Sequence, residues 1–408
     1  MAPFPLSIAS FGKPLEFLVY LLIGIGFGYI LEISGFGNSK KLAAQFYFQE
    51  LTVLKVMFTG IVVAMVLIFG ASALGLLDYN LVWVNPTYLW PGIVGGLIMG
   101  VGFIIGGFCP GTSLVAAVTG KLDGLFFVLG GLAGIFLFGE TVDGFSNFWN
   151  SSYLGRLTLQ DWLGLPAGWV VLAVVLMALF MFWGSEQLER LVGKRDLRRE
   201  PRLRLAGAGA LAAAALAVAV IGQPDTADRW ARLAPEKDAL LASRAVQIHP
   251  GELLASMHDH RLNLVLLDVR SEADYNQFHL HGARRVEPAQ LAALSKELQL
   301  APPSSVFILM SNDERTATEA WKVLVAESVP NVYILEGGIN HWLATFAPGE
   351  PGIAHLTAAA DDQLSFEFRA ALGSAYPAAR PRPEDYRFEF TPKIKLENKK
   401  GGGGGGCG

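Results

Sequence analysis

The chain has 408 residues, of which 52% are hydrophobic and only 17% are charged. A charged fraction this low, with a mean hydropathy of +0.39, excludes a wholly soluble protein and indicates membrane helices joined to a soluble part. The formal net charge of −4 argues against nucleic-acid binding, so we expect no nucleic-acid partner. With only Cys109 and Cys407, we expect no disulfide framework, no metal site and no cofactor.

Six apolar stretches are long enough to cross a bilayer as helices, which takes about 20 residues. Two shorter apolar segments, 37–49 and 110–120, follow glycine-rich breaks and are predicted to be re-entrant half-helices. The N-terminus lacks a basic region and a cleavage site, so we expect the first stretch to be retained as a membrane helix. The six predicted spans are 14–34, 52–77, 89–107, 123–147, 167–191 and 203–222.

Basic residues mark one side of the predicted membrane domain. A cluster between Arg190 and Arg204 separates the fifth and sixth spans, and Lys40, Lys41 and Lys121 fall on the same side if the spans alternate. The positive-inside rule makes this side cytoplasmic. With six spans, the part of the chain after residue 222 then lies outside the cytoplasm, in the periplasm.

The predicted membrane domain contains an internal repeat. Residues 24–27 (GIGF) resemble residues 100–103 (GVGF), and residues 35–39 (GFGNS) resemble residues 107–111 (GFCPG). Each unit is a span, a glycine break, a half-helix and a second span, and such repeats enclose binding sites near the bilayer midplane. The alternative is that glycine-rich membrane helices look alike because small residues let helices approach closely.

Cys109 is the single cysteine of this domain and stands at the second break. Pro110 fits the first turn of a new helix, where its missing N–H costs nothing. The positive end of that helix, with the N–H groups of Gly111, Thr112 and Ser113, favours an anion. A thiol beside it indicates a sulfur-containing anion. The alternative is a small buried cysteine that packs as a hydrophobe.

Residues 15–145 resemble one half of a YeeE/YedE family protein, a family of thiosulfate and sulfur-anion transporters. The resemblance lies in the glycine-rich span that ends in Gly-Phe-Cys and resumes with Gly-Thr. It implies that Cys109 is the family's essential cysteine, while Gly37 replaces an earlier one. Because full-length members resemble two such halves, it also implies a pore made by two chains, either a homodimer or a heterodimer with another half-length relative. The predicted substrate-binding residues are Gly37, Gly107, Cys109, Pro110, Gly111, Thr112 and Ser113.

The second half of the chain predicts an α/β domain. Strand-like runs at 263–269, 306–309 and 331–335 alternate with amphipathic helices near 288–299 and 315–328. This alternation is typical of a parallel sheet.

The motifs of this domain resemble those of the rhodanese family, as in residues 267–271 (LDVRS) and 335–339 (LEGGI). In that family a nucleophilic cysteine follows the central strand, and an arginine stands at the fifth position after it. Here Arg315 is in place, but Met310 occupies the cysteine position, and a thioether forms no thiolate. We therefore expect no catalysis, and a domain that docks a partner or covers the pore. The degenerate loop comprises Met310, Ser311, Asp313, Glu314 and Arg315.

The chain ends in an extended tail with six glycines before Cys407. A thiol on such a tether is predicted to receive sulfur from a partner or to crosslink two chains. The alternatives are an artificial addition, or a disordered tail without a role. Earlier in the tail, the alternating residues 386–390 predict an edge strand.

These features predict an α-helical membrane domain of about six transmembrane helices and two re-entrant half-helices, followed by an α/β rhodanese-like domain. The resemblance implies a multi-pass bacterial inner-membrane transporter or channel for thiosulfate or a related anion, surrounded by membrane lipid. One alternative is a non-transporting scaffold that holds a periplasmic sulfur or redox protein, and another is a membrane sulfurtransferase using Cys407. The expected domains are an N-terminal segment (1–13), the half-repeat (14–147), two additional helices with a basic loop (148–222), a linker (223–239), the pseudo-rhodanese domain (240–346) and the tail (347–408).

Overall fold

The computed structural model describes residues 12–192, 203–356 and 360–396. These form two compact units, one that runs to Gln223 and one that begins at Pro224. Among the described residues of the first unit, six helical stretches are long and apolar enough to cross a membrane. They agree with the six predicted spans.

The helices of the first unit follow the predicted pattern of long spans and short segments. Their bounds are α1 Lys13–Ile33, α2 Ser39–Ala44, α3 Thr52–Ala73, α4 Leu89–Gly106, α5 Pro110–Val118, α6 Leu122–Thr141, α7 Ser146–Trp149, α8 Leu159–Leu163, α9 Ala167–Leu191 and α10 Leu203–Ile221. The short segment predicted over 110–120 forms the helix α5, and its re-entrant course stays a prediction. The one predicted over 37–49 is shorter, because after α2 and a 3-10 turn the chain reaches Phe48 with a left-handed φ of 56°.

The two glycine breaks have the same local form. Gly35 follows α1 with φ +84°, and Gly107 follows α4 with φ +72°. Each is followed by a buried phenylalanine, Phe36 or Phe108, and both side chains lie in one apolar cluster with Ala116. Because glycine adopts positive φ without steric cost, the chain ends one helix and starts the next within a few residues.

A second apolar cluster joins α3, α9 and α10. Gly168 of α9 lies so close to α10 that an added Cβ would be 2.8 Å from the Ala219 Cα. At the other end of α9, the buried Glu189 carboxylate accepts the Leu51 N–H at 2.6 Å and pairs with the Lys55 Nζ at 2.7 Å. This ion pair fixes the start of α3 to the end of α9, since breaking a buried pair leaves an uncompensated charge.

The second unit is an α/β domain whose central sheet is parallel throughout, with strand order β1-β5-β4-β2-β3. The predicted strands correspond to β2, β4 and β5, and the predicted helices to α14 and α15. The strands are β1 Gln247–Ile248, β2 Asn263–Asp268, β3 Arg284–Arg285, β4 Ser305–Met310, β5 Val332–Leu335, β6 Ile353–His355 and β7 Phe366–Phe368. The helices are α11 Thr226–Ala242, α12 Pro250–Met257, α13 Glu272–Gln277, α14 Leu291–Leu298, α15 Arg315–Ala326 and α16 Gly338–Phe346.

The linker expected over 223–239 is instead mostly the helix α11. Its N-cap is Asp225, whose carboxylate accepts the Asp228 N–H at 2.8 Å. The Trp230 ring packs on Trp321 of α15 at 6.0 Å between centroids, and Arg229 pairs with Glu327 at 2.5 Å. Helix α11 is therefore part of the second unit.

The described part of the expected tail packs on the α/β domain instead of extending away from it. The Trp342 Nε1–H donates to the Ala378 carbonyl at 2.7 Å, and β6 pairs with β7 as an antiparallel hairpin. The edge strand predicted over 386–390 is wrong: this stretch is irregular, and the Tyr386 and Phe388 rings pack on Phe346. Cys407 lies outside the described residues.

Candidate functional site

Cys109 is the N-cap of α5, in extended conformation between two helices. Its Sγ accepts the Thr112 N–H at 3.4 Å, and the Thr112 Oγ1 in turn accepts the Cys109 N–H at 2.9 Å. The Thr112 Oγ1 also lies 3.3 Å from the sulfur and 3.1 Å from the Cys109 carbonyl oxygen. This reciprocal capping box holds the thiol in one orientation at the helix start.

The backbone donors at this helix start are mostly used within the chain. The Thr112 N–H is bound to the sulfur, and the Ser113 N–H donates to the Cys109 carbonyl at 3.0 Å. Both residues are buried, and the Ser113 hydroxyl donates to the Pro110 carbonyl at 2.8 Å. Of the three predicted N–H donors, those of Thr112 and Ser113 are thus used by Cys109 itself. Among the described residues, no acceptor is found for the Gly111 N–H.

The thiol lies at the edge of an exposed apolar face. Pro110, Leu114 and Val118 recur at four-residue spacing on α5, and Val118 is 83% exposed. On the preceding helix, Ile105 is 82% exposed, while Cys109 itself is half-buried. Apolar residues this exposed on one chain need lipid or another protein surface around them.

The predicted site residues Gly107 and Gly37 lie close to other helices. A Cβ on Gly107 would lie 3.0 Å from the Ser39 Cβ, so the absence of a side chain at Gly107 lets the end of α4 pack closely against the start of α2. Gly37 is buried against the Ala116 Cα further along α5, beside the ion pair between Lys121 and Glu32. Gly37 thus contacts the far part of α5.

We expect Gly107→Ala to destabilise the break, because its φ of +72° is unfavourable for alanine and the added methyl group meets Ser39. The loss should be about 1–3 kcal/mol, seen as faster hydrogen exchange in α2 and α5 of the detergent-solubilised protein. Gly92→Ala is the matched control, since a Cβ at Gly92 meets nothing within 4 Å. Equal exchange in the two variants would contradict this role of Gly107.

Sequence reasoning missed a polar cluster beside the breaks. The Ser39 hydroxyl donates to Asp123 at 3.0 Å, and the Lys121 Nζ lies 3.4 Å from Glu32. These groups tie α1 and α2 to the start of α6. The signal was present in the sequence, since these polar residues stand at the ends of apolar stretches next to glycine breaks.

In the second unit, the degenerate loop follows β4. Met310 is the last residue of that strand, and its side chain is fully buried in the apolar core. The Ser311 hydroxyl accepts the Ala317 N–H at 3.2 Å, and the backbone carbonyl of Ser311 accepts the Ile339 N–H at 2.9 Å. Both side chains therefore serve packing and loop geometry.

The charged side chains of this loop are all paired. Glu314 accepts two hydrogen bonds from Arg244, the shorter at 2.6 Å, and one from the Gly337 N–H. Arg315 pairs with Asp361 at 2.6 Å, and Asp313 accepts the Arg315 N–H at 2.7 Å. The negative charge expected where an anion would bind is thus committed to neighbouring groups.

Asp313 also accepts the Asp362 N–H at 2.8 Å. Burial raises the pKa of Asp313, but backbone N–H groups, foremost those of Arg315 and Asp362, lower it more, so the net pKa is below its ordinary 3.8. The stabilisation from this carboxylate is fully present above the unfolded-state pKa and is lost as the pH falls through the lower folded-state value. We expect the bond from the Asp362 N–H to Asp313 to be lost only as the pH falls below 3.8.

Asp361 and Asp362 are the second set of residues that sequence reasoning missed. They lie about 50 positions beyond the loop, in a stretch without regular periodicity, and nothing local in the sequence connects them to it. No group of three His, Cys, Asp or Glu side chains in residues 12–192, 203–356 and 360–396 is arranged to hold a metal ion.

Two family models match this chain. One is described as Sulphur transport and matches residues 34–233, and the other is the Rhodanese-like domain, which matches residues 249–345. The first match starts after α1 and includes α9 and α10, so it extends further than the predicted half-repeat.

Individual relatives match the second unit. The thiosulfate sulfurtransferase GlpE of Pseudomonas entomophila (strain L48) is 29% identical over 21% of this chain and 75% of its own length. GlpE of Pseudomonas fluorescens (strain SBW25) is 28% identical over 20% of this chain and 72% of its own length. A crystal structure of a full-length protein from Lactobacillus plantarum covers 27% of this chain and 92% of its own, with 23% identity and a TM-score of 0.23.

The spans and the two matches define a multi-pass membrane protein in which a sulfur-transport domain is fused to a rhodanese-like domain. The match over residues 34–233 to the sulphur transport model agrees with the resemblance to the YeeE/YedE family.

Proposed function

We propose that the membrane unit carries thiosulfate or a related sulfur anion across the bacterial inner membrane, through a pore beside Cys109. The observation that carries this proposal is the capped thiol at the start of a half-helix in a sulfur-transport domain. The α5 dipole and the open Gly111 N–H stabilise the charge of the anion.

The Cys109 thiol makes a weak hydrogen bond to the terminal sulfur of the anion. Because its Sγ already accepts the Thr112 N–H, the S–H proton is directed away from the helix start. A weak and exchangeable contact suits conduction, since an ion that binds too tightly does not leave.

The pore forms between two chains, because the thiol of one chain borders an exposed apolar face. We expect a short bifunctional maleimide to join two Cys109 thiols in membranes that contain the Cys407→Ser variant. Cys109→Ser/Cys407→Ser is the matched control and should give no covalent dimer. Monomer alone in both variants would contradict the homodimer and favour a half-length relative as the second chain.

The second unit and the C-terminus lie in the periplasm in this proposal. Several basic residues of the proposed cytoplasmic side are paired, Lys55 with Glu189 and Arg204 with Glu186. This does not weaken the assignment, because the positive-inside rule counts Lys and Arg and gives acidic residues little weight. A C-terminal alkaline phosphatase fusion should therefore be active, and a fusion in the basic loop should be inactive.

The rhodanese-like domain is non-catalytic in this proposal and serves as a docking or covering module. Met310 is buried at the end of β4 and offers no thiolate. We expect the purified protein to transfer no sulfur from thiosulfate to cyanide above the rate without protein. Transfer that disappears in Cys407→Ser would contradict this and show that the tail thiol carries sulfur.

The alternative is a non-transporting scaffold whose rhodanese-like domain holds a sulfur or redox protein. It predicts no anion flux from the reconstituted protein and a stoichiometric partner in a native pull-down. Flux lost on changing Cys109 would contradict it.

A further inference from the structure

Helix α12 and the last described part of the tail enclose a groove on the rhodanese-like domain. Its volume is about 700 Å³, within the range of about 300–1,000 Å³ that ligand pockets span. One wall is a single face of α12 and of the turn after it, where residues at helical spacing line the groove: Glu252, Ala255, Ser256 and Asp259. This wall is therefore partly polar.

The opposite wall is apolar and is formed by every second residue of the tail, namely Phe390, Pro392, Ile394 and Leu396. It is anchored to the domain on both sides of Pro392. The Phe390 ring stacks on His249 at 6.2 Å between centroids, and the Lys395 N–H donates to the Tyr333 hydroxyl at 2.8 Å. The apolar wall is thus in place before any ligand enters the groove.

The Glu252 carboxylate is buried in the polar wall and has one oxygen without a donor. Its Oε1 accepts the N–H groups of Lys393 at 2.7 Å and Ile394 at 2.8 Å. Glu252 is only 4% exposed, yet within residues 12–192, 203–356 and 360–396 no hydrogen-bond donor reaches its Oε2. The Lys393 ammonium is used elsewhere, because its Nζ donates to the Gln247 carbonyl at 2.7 Å. A buried polar atom without a partner costs free energy, so a donor that enters the groove stabilises this oxygen.

The charges of the groove favour a cationic ligand. Asp259 is the second carboxylate among the groove residues, and Arg261 is the one basic residue among them. Two hydrogen bonds of 3.0 and 2.9 Å join these two side chains to each other. The charge of Glu252 therefore remains uncompensated opposite an apolar wall.

We propose that this groove binds the lysine side chain of a partner protein. The ammonium group donates a hydrogen bond to Glu252 Oε2, and the alkyl stem packs on Phe390 and Ile394. Lysine fits both walls, since it carries three N–H donors on a flexible four-carbon stem. A free alkylamine shares this chemistry, so the experiment compares the two sources.

The test is hydrogen exchange measured by mass spectrometry on the full-length protein in detergent micelles, read at residues 250–262 and 386–396. The probe is the tripeptide acetyl-Leu-Lys-Leu-amide. At about ten times its Kd, we expect it to raise protection in both stretches by about tenfold. The same tripeptide with norleucine in place of lysine keeps the apolar contacts but lacks the ammonium group, and it should change little.

Glu252→Gln removes the charge but keeps an oxygen that accepts the N–H groups of Lys393 and Ile394. We expect this variant to exchange like the wild type without peptide and to lose the response to the lysine tripeptide. Glu319→Gln is the matched control, since Glu319 is an exposed carboxylate of α15 that does not line the groove. It should keep the full response.

Equal responses of the wild type to the lysine and norleucine tripeptides would overturn the role of the ammonium group. This comparison needs no variant, so it holds even if Glu252→Gln unfolds. A response retained in a folded Glu252→Gln variant would overturn Glu252 as the partner of the ammonium group. Protection by hexylamine but not by the lysine tripeptide would overturn the partner lysine in favour of a free alkylamine, and no response to either would overturn the site.

Discussion

Cys109→Ala is expected to reduce thiosulfate flux into proteoliposomes by about tenfold, while Cys109→Ser retains most of it. Alanine removes the S–H donor and also the acceptor of the Thr112 N–H, which costs about 0.5–2 kcal/mol of helix capping. Serine keeps a donor and is a good N-cap, so it preserves both the capping box and a hydrogen bond to the anion. A lost hydrogen bond of about 1 kcal/mol, added to the weakened cap, accounts for the expected size.

Thr112→Val distinguishes the contribution of the thiol to flux from its contribution to the helix cap. It removes the hydroxyl that accepts the Cys109 N–H but leaves the thiol and the Thr112 N–H in place. We expect this variant to keep more flux than Cys109→Ala. If the two lose equal flux, the thiol acts only through helix capping, and equal flux in Cys109→Ala, Cys109→Ser and the wild type would contradict any role of the thiol.

Asp268→Ala is expected to destabilise the rhodanese-like domain by about 3–5 kcal/mol, because it leaves a buried guanidinium without its partner. Asp268 and Arg270 are both buried, and their hydrogen bonds range from 2.6 to 3.2 Å. Arg270 also donates to the Phe278 carbonyl at 2.7 Å and to Asn312 at 3.3 Å. The variant should therefore disturb the loop after β4 as well as the end of β2.

The chain offers a matched control for this pair. Asp259 and Arg261 have the same spacing and a similar two-bond contact, but Arg261 is exposed to solvent and Asp259 is only half-buried. Solvent screening makes such a pair worth little, although Arg261 lowers the pKa of Asp259 to about 2. Hydrogen exchange in β2 and β4 should rise strongly in Asp268→Ala and stay unchanged in Asp259→Ala. Similar exchange in both variants would contradict the role of burial.

Much of the fold was predictable because its signals are local. A span needs a continuous apolar run, and a break needs glycine or proline, so α4 and α5 were predicted on either side of Cys109. The buried strands β2, β4 and β5 were predicted for the same reason, since each is a short apolar run between helices. The linker expected over 223–239 was wrong because charged residues interrupt the apolar ones along α11, and the contacts of Trp230 with Trp321 and of Arg229 with Glu327 form only in the folded chain.

The candidate sites were predictable only in part. Cys109 and Pro110 were placed at a helix start, but the capping box between Cys109 and Thr112, and the bond from the Ser113 N–H to the Cys109 carbonyl, became visible only in the structure. Gly37, which the resemblance puts at a family cysteine position, lies against Ala116. In the loop after β4, the sequence predicted Met310 at the cysteine position of the family, whereas it did not predict the Asp362 carboxylate that binds the loop.

By itself the sequence predicted which segments are long and apolar enough to cross a membrane, where they break, and that Met310 stands where the rhodanese family has its cysteine. These properties depend on residue type and on neighbours within a few positions. Tertiary structure alone decided that Asp362 binds the amides of Asn312, Asp313 and Thr316. Such a contact joins segments about 50 residues apart, and its free energy depends on distances that only the folded chain sets.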